Sequence, residues 1–157
     1  MSTVTEPARR RRARATSPSL VYVIGRVDQG VRKEMRRRLE RFGLSVPEYT
    51  ALSVLDAVPG LSNAQLARRS LITPPAMLEV LASLERRGLV ERHADPGHRR
   101  IRRAVLTSEG TSTLKSAARD IEQLADQLLA DVPADEREIV RRGLVAAMDR
   151  LTAGLEE

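Results

Sequence analysis

A cluster of arginines surrounds a short turn past the middle of the chain. Residues 86–103 contain seven arginines and two acidic residues, Glu91 and Asp95. The turn is Asp95-Pro96-Gly97, a strong signal for chain reversal between two stretches of strand-like composition. Because guanidinium groups bind phosphate oxygens and enter narrow minor grooves, this arrangement predicts a basic hairpin that contacts nucleic acid.

Two short helices are predicted directly before this hairpin. Ser62 and Gln65 have the spacing of a capping box, and Thr73 followed by Pro74 marks a second helix start. The second helix has one apolar stripe along its length. Two helices joined by a tight turn and followed by a two-stranded basic hairpin predict a winged helix-turn-helix lobe, with the hairpin as its wing.

Long amphipathic helices are predicted on both sides of this lobe, so the fold class is mainly α with a small β component (α+β). The predicted parts are a disordered tail (1–18), a dimerisation helix (19–45), the DNA-binding lobe (46–107) and C-terminal dimerisation helices (108–157). Such long apolar stripes exceed what the small lobe can cover, which predicts a homodimer. The predicted interface residues are Leu20, Ile24, Leu114, Ile121, Leu124, Leu128, Leu144 and Leu151.

Charge is unevenly distributed along the chain, whose net charge is +6. Residues 1–14 carry five arginines against one glutamate, whereas residues 108–157 carry eleven acidic and six basic residues. The basic tail either adds salt-sensitive affinity for any DNA sequence or is simply solvated.

Other classes of site lack support in the composition. The chain has no cysteine and no glycine-rich phosphate loop, and both histidines lie in the predicted hairpin, so we predict neither an enzyme nor a cofactor. His93, Asp95 and His98 could hold a metal ion, but such residues on a short hairpin are more often plain surface residues, and no metal site is predicted. No stretch is apolar over the roughly 20 residues of a membrane span, so we predict a cytoplasmic, nucleoid-associated protein.

Five short motifs follow one another along the chain. Residues 61–69 resemble the pattern GLSxxELAxR, residues 84–92 match LExRGLVxR, residues 95–100 resemble DPxDRR, and residues 106–110 match LTxxG. Upstream, residues 42–49 resemble GLTxxQY. Motifs of this kind, in this order and spacing, are those of MarR transcription regulators, and the resemblance covers about residues 20–155.

The resemblance implies a homodimeric repressor that binds double-stranded DNA. Its recognition helix, residues 73–87, enters the major groove and its wing reaches the flanking minor groove, so the operator is a pseudo-palindrome. The implied recognition-helix contacts are Thr73, Pro75, Ala76, Glu79 and Ser83. The implied phosphate or wing contacts are Ser62, Asn63, Arg69, Arg86, Arg99, Arg100 and Arg102.

Two features depart from the family pattern. Where many members have polar residues and an arginine, this helix has Pro75, Ala76, Leu78 and Glu79. Ala76 could touch a thymine methyl group, and Glu79 could accept from cytosine N4, repel phosphate or pair with a neighbouring arginine. His98 stands where the family often has an aspartate that holds the wing arginine, so we assign wing support to Asp95 and His98.

Many family members release DNA when a small, often aromatic, effector binds between the dimer helices and the DNA-binding lobe. If this chain has such an effector, the candidate pocket residues are Tyr22, Arg26 and Tyr49; Tyr49, at a family motif position, is expected to belong to the core. Two alternatives stay open. One is an architectural or nucleoid-associated protein that binds DNA without sequence preference and responds to no ligand. The other is a helical adaptor that binds only protein, in which the wing arginines have no role in binding.

Overall fold

The computed structural model describes residues 17–98 and 100–153. Its helices are α1 (Leu20–Leu39), α2 (Val46–Ala57), α3 (Asn63–Arg69), α4 (Pro74–Arg86), α5 (Ser108–Leu128) and α6 (Ala134–Ala153), with a single 3-10 turn, Glu40–Phe42, after α1. Its strands are β1 (Leu61–Ser62), β2 (Val90–Ala94) and β3 (Arg102–Leu106). Residues 1–16 of the predicted tail lie outside the described residues.

Local sequence signals set the ends of these helices. The Ser62 hydroxyl accepts the backbone N–H of Gln65, whose side chain accepts the N–H of Ser62, so the predicted capping box is present. At the start of α4 the Thr73 hydroxyl accepts the N–H of Ala76, and at the start of α5 the Thr107 hydroxyl accepts the N–H of Gly110. Gly43 ends the first helical segment with a φ of 62°, a left-handed conformation that glycine adopts without steric cost.

The sheet has three antiparallel strands in the order β1-β3-β2. Strands β2 and β3 form the predicted hairpin, in which Val90 pairs with Leu106 and Ala94 with Arg102. Strand β1 pairs Leu61 with Ala104 and lies on the other side of β3. The sequence prediction lacks β1, because two residues are too few to show an alternating pattern.

A single aliphatic core connects the helix-turn-helix to the end of α1 and to α5. Its largest fully buried side chains are Leu39, Leu52, Leu55, Leu66, Met77, Leu81, Leu84 and Val90. Because α2, α3, α4, the sheet and α5 all contribute to it, the recognition helix and the wing are carried by one packed body.

Two of the residues predicted for the dimer interface are buried within the single chain. Leu114 and Leu124 are each 5% exposed, and Ile121 is half-buried against the core. Helix α5 packs along α1 and α2 of its own chain and uses this stripe there. Leu114 and Leu124 are therefore used inside one chain, which corrects their assignment to the interface, whereas the half-buried Ile121 stays a predicted interface residue.

The other five predicted interface residues have exposed side chains. Leu20, Ile24, Leu128, Leu144 and Leu151 are between 44% and 74% exposed. Over residues 134–151, Arg137 alone is not exposed, so the apolar side chains of α6 are largely accessible to solvent. Contiguous exposed apolar surface of this kind marks an interaction site.

Candidate nucleic-acid interface

Helix α4 has one buried and one exposed face. Met77, Leu81 and Leu84 pack into the core, and the residues on the opposite side face solvent. Of the predicted contact residues, Thr73, Pro75 and Glu79 are exposed and Ala76 is half-buried. Among the described residues, Glu79 forms no ion pair, so its carboxylate is available to a ligand of this face.

Ser83 lies apart from these residues. Its hydroxyl donates to Glu48 Oε1 at 2.7 Å, and its side chain is half-buried against α2. The structure thus uses Ser83 to hold α4 in place, whereas the sequence suggested a role in base contact.

The two helices of the helix-turn-helix are tied together at their N-terminal ends. Asn63 Nδ2 donates to the carbonyl of Pro74 at 3.0 Å, which links the first turn of α3 to the first turn of α4. Ser62 is occupied by its capping box. Ser62 and Asn63, predicted as phosphate contacts, therefore also set the position from which α4 starts. The two roles are compatible, because helix N-termini favour anions.

Asp95 organises the turn of the wing. Its Oδ1 atom accepts the backbone N–H groups of Gly97 at 2.8 Å and His98 at 2.9 Å, and its Oδ2 atom pairs with Arg103. Arg103 also donates to the carbonyl of Gly60 at 2.9 Å, before β1. The hydrogen bond from Arg103, with those from Gly97 and His98, lowers the pKa of Asp95. His98 contributes through its backbone.

Replacing Asp95 by asparagine should loosen the wing without unfolding the lobe. Asparagine keeps an oxygen for the turn N–H groups but loses the charge that holds Arg103. We expect faster amide hydrogen exchange at Gly97 and His98 and unchanged exchange in α4. Because the folded-state pKa is lowered, wild-type protection is complete above the ordinary aspartate pKa of 3.8 and is lost as the pH falls through the lowered value. Equal exchange in the two proteins at neutral pH would contradict this role.

The arginines predicted to contact DNA fall into two groups, according to whether they form bonds with other described residues. Arg69, Arg86 and Arg100 are exposed and form no ion pair with another described residue. Arg102 is exposed and donates to the carbonyl of Arg92 at 2.7 Å, and Arg92 pairs with Glu85 of α4. The latter ion pair connects the wing to the recognition helix. Arg99 lies outside the described residues.

Glu48 is a central polar residue that the sequence analysis missed. It is 8% exposed and accepts the backbone N–H of Ser45 at 2.8 Å, the Ser45 hydroxyl at 3.0 Å and the Ser83 hydroxyl at 2.7 Å. Arg87 lies 3.5 Å from the same carboxylate. The Ser-x-x-Glu spacing at residues 45–48 is a capping box, a local signal that could have identified it.

Arg38 is a second buried polar residue that sequence reasoning missed. It is 7% exposed and donates to the carbonyl of Asp120 at 2.8 Å and to Gln127 Oε1 at 2.6 Å. Since both acceptors belong to α5, the guanidinium fastens the end of α1 to that helix. Glu34 Oε1 accepts from Arg38 at 3.2 Å and also pairs with Arg37, and these contacts bring the pKa of Glu34 down to about 2.

An open cleft of about 830 Å³ lies between α2, α3 and the end of α6. Tyr49, Ser53, Arg68 and Arg69 are among the residues that line it. Tyr49 is half-buried and also packs against the core. Tyr22 and Arg26 are exposed on the first half of α1 and do not line the cleft.

The described part of the chain contains neither a cluster of metal ligands nor a helix that could span a membrane. Within residues 17–98 and 100–153, no group of three or more His, Cys, Asp or Glu side chains is placed to hold a metal ion. No helix of the same residues is both long and apolar enough to cross a membrane.

Comparisons with known proteins agree with this architecture. A family model described as MarR family matches residues 42–101. Rv2887, a curated HTH-type transcriptional repressor of Mycobacterium tuberculosis, is 35% identical over 130 residues, which cover 83% of this chain and 94% of that protein.

Crystal structures of Rv2887 are similar to most of this chain. The complex with DNA has a TM-score of 0.71 at 34% identity and covers 83% of this chain and 98% of that chain. The complex with salicylic acid has a TM-score of 0.70 at 34% identity and covers 85% and 98%. From the family model, the sequence identity and the shared fold, we conclude that this chain belongs to the MarR family of transcription regulators.

Proposed function

We propose that this protein is a transcription repressor that binds a pseudo-palindromic operator as a homodimer and acts by binding rather than by catalysis. One lobe exposes both a recognition helix and an arginine-rich wing, and the Glu85–Arg92 ion pair connects the two. This observation carries the proposal. The relative Rv2887, a repressor crystallised with DNA, supports it. Such a protein works at the chromosome, in the cytoplasm.

The DNA contacts divide by chemistry. On α4, Thr73, Pro75, Ala76 and Glu79 would face base edges in the major groove. The predicted phosphate and wing contacts would position the lobe: Ser62, Asn63, Arg69, Arg86, Arg99, Arg100 and Arg102. Residues 46–107 would then form the DNA-binding unit, between dimerisation segments 19–45 and 108–157.

The dimer interface is proposed to consist of the first half of α1 and of α6. These segments carry the exposed Leu20, Ile24, Leu144 and Leu151. Val140 is also exposed, and it shares one stripe of α6 with Leu144 and Leu151 because their spacings are four and seven residues. A second copy would cover this surface.

Replacing Leu144 by aspartate should convert the dimer to a monomer. Leu144 is 54% exposed, so the single chain loses little packing, whereas the dimer would bury an unpaired carboxylate. Sedimentation equilibrium should report half of the wild-type mass. The control is Arg142→Asp, which places the same side chain on the opposite face of α6 and should leave the mass unchanged. A dimeric Leu144→Asp protein would refute the proposed interface.

The cleft between α2, α3 and α6 is the proposed effector site. It combines the Tyr49 ring with the guanidinium groups of Arg68 and Arg69, which suits an aromatic acid. Rv2887 was crystallised with salicylic acid, which supports this chemistry. Because the cleft contacts both α3 and α6, a ligand there would favour one placement of the DNA-binding lobe over another.

The decisive test is specific DNA binding at about 150 mM salt. Full-length protein is titrated with duplexes selected from random-sequence DNA and with scrambled duplexes of the same composition. A repressor should prefer the selected duplex by a factor of roughly 10³ or more. Equal, salt-sensitive binding to both would favour the architectural protein, and no binding at low salt would favour the protein adaptor.

Effector release is tested on the same complex. Addition of salicylate should dissociate the specific complex of the wild-type protein, and Arg68→Ala should require a higher concentration. Dissociation of both proteins at the same salicylate concentration would show that the cleft is not the site of release.

A further inference from the structure

The exposed face of α4 is apolar at its centre. Leu78 is 49% exposed, and Pro75, one turn earlier on the same side, is exposed as well. An isolated exposed leucine is ordinary on a protein surface. Leu78, however, lies on the helix that the proposed function places against base edges, in the same lobe as the exposed Arg69, Arg86 and Arg100.

Hydrogen-bond donors are scarce along this face. From residue 73 to residue 82 the sequence is Thr-Pro-Pro-Ala-Met-Leu-Glu-Val-Leu-Ala, in which the Thr73 hydroxyl is the one side-chain donor. That hydroxyl caps α4 by accepting the N–H of Ala76 at 3.4 Å. The next hydroxyl, that of Ser83, donates to Glu48 inside the protein. No described side chain on the first two turns can therefore form the paired hydrogen bonds by which arginine reads guanine or asparagine reads adenine.

What this face offers to DNA is the apolar surface of Leu78 and Pro75 and the carboxylate of Glu79. Thymine is the base that presents a methyl group in the major groove, and apolar side chains recognise it. Guanine presents two acceptors there, which a carboxylate such as that of Glu79 repels, whereas cytosine presents an N–H donor. The face thus favours thymine opposite Leu78 and Pro75 and disfavours guanine opposite Glu79.

We infer that Leu78, with Pro75 beside it, reads thymine C5-methyl groups, so that the operator half-site is specified by methyl contact and by exclusion of guanine. This inference rests on the proposed function, because it concerns the same helix bound to DNA. It makes Leu78 a specificity-determining residue.

Deoxyuridine substitution tests the inference directly. Deoxyuridine pairs as thymidine does but lacks the methyl group, so a duplex selected as above is remade with each thymine replaced in turn. The replacement should matter at one or two thymines that are related by the symmetry of the operator. There the affinity of the wild-type protein should fall about 4-fold for each methyl group removed, and about 16-fold when both half-sites lose it. Leu78→Ala should bind the thymine duplex more weakly and should no longer distinguish it from the deoxyuridine duplex.

Matched controls separate this role from general effects on folding or charge. Leu71→Ala removes another exposed leucine, from the turn between α3 and α4, and should keep the wild-type thymine-to-uracil ratio. Thermal melting of Leu78→Ala should match the wild type, because the side chain is outside the core. Glu79→Gln should admit guanine at a position where selection with the wild type excludes it.

The outcomes also separate this inference from the proposed function. Specific binding that is indifferent to deoxyuridine at every position overturns methyl reading and leaves the repressor intact. A Leu78→Ala protein that keeps the thymine-to-uracil ratio assigns the methyl contact to another residue and likewise overturns the inference. Failure of selection to enrich any sequence overturns both.

Discussion

Replacing Gly110 by alanine is expected to destabilise the protein by about 3 kcal/mol or more. Gly110 is buried at the start of α5, next to the backbone of Leu89. A Cβ atom there would lie 2.0 Å from the carbonyl oxygen and 2.9 Å from the carbonyl carbon of Leu89. Backbone atoms cannot rotate away as a side-chain tip can, so α5 or the start of β2 would have to move.

The same region shows what such a movement would disrupt. Thr107 donates its N–H to the carbonyl of Leu89 at 3.1 Å and its hydroxyl to the carbonyl of Gly88 at 2.6 Å. These bonds join the beginning of α5 to the beginning of the wing. We therefore expect Gly110→Ala to reduce operator affinity as well as stability.

The control for Gly110→Ala is Gly30→Ala. Gly30 is exposed in α1, and a Cβ atom there meets nothing within 4 Å. Alanine at such a helical position should stabilise the protein by about 0.5–1 kcal/mol. Urea denaturation at one fixed protein concentration measures both, since the stability of a dimer depends on concentration. A loss below 1 kcal/mol for Gly110→Ala would mean that α5 tolerates a larger separation from Leu89.

Replacing Glu48 by alanine is expected to cost about 3 kcal/mol of stability. The carboxylate accepts hydrogen bonds from the Ser45 N–H, the Ser45 hydroxyl and the Ser83 hydroxyl, and Arg87 lies beside it. Its removal abolishes the capping box of α2 and leaves the Ser83 hydroxyl without its acceptor. Because Ser83 belongs to α4, the same change also removes a hydrogen bond between the recognition helix and α2.

A double-mutant cycle isolates the contact between the helices. Ser83→Ala alone should cost about 1 kcal/mol, and Glu48→Ala with Ser83→Ala should cost less than the two single changes together. Strict additivity would show that the Glu48–Ser83 bond contributes nothing to stability.

The stability difference between wild type and Glu48→Gln should depend on pH. Burial raises the pKa of Glu48, but the hydrogen bonds from Ser45 and Ser83 and the charge of Arg87 outweigh burial and lower it. A lowered folded-state pKa means that the carboxylate stabilises the fold fully above its ordinary pKa of 4.5. We expect the difference to shrink as the pH falls through the lowered value, and a constant difference would contradict this assignment.

These two residues differ in what the sequence reveals about them. Gly110 stands in a recognisable motif. The reason for a glycine there is the backbone of Leu89, which lies just before β2, about twenty residues earlier, and is brought against α5 by folding. Glu48 follows Ser45 at capping-box spacing, a local relation, whereas its bond to Ser83 spans 35 residues. In each case the local pattern is visible in the sequence, whereas the contact with a distant residue is visible only in the packed structure.

The sequence by itself determined the order of helices and strands, because caps, prolines and turns act within a few residues. Ser62, Thr73 and Thr107 start their helices through bonds to residues three positions away. The turn of the wing is likewise local, because Asp95 accepts the backbone N–H groups of Gly97 and His98, two and three positions away.

Tertiary structure alone decided which apolar stripe is covered, and by what. Periodicity predicts that α5 and α6 each have one apolar face, but it carries no information about what covers that face. In the folded chain Leu114 and Leu124 pack inside, whereas Leu144 and Leu151 remain exposed. The same holds for Arg38, whose acceptors on α5 lie 82 and 89 residues away. Burial and long-range hydrogen bonds depend on the arrangement of whole elements, which no local pattern specifies.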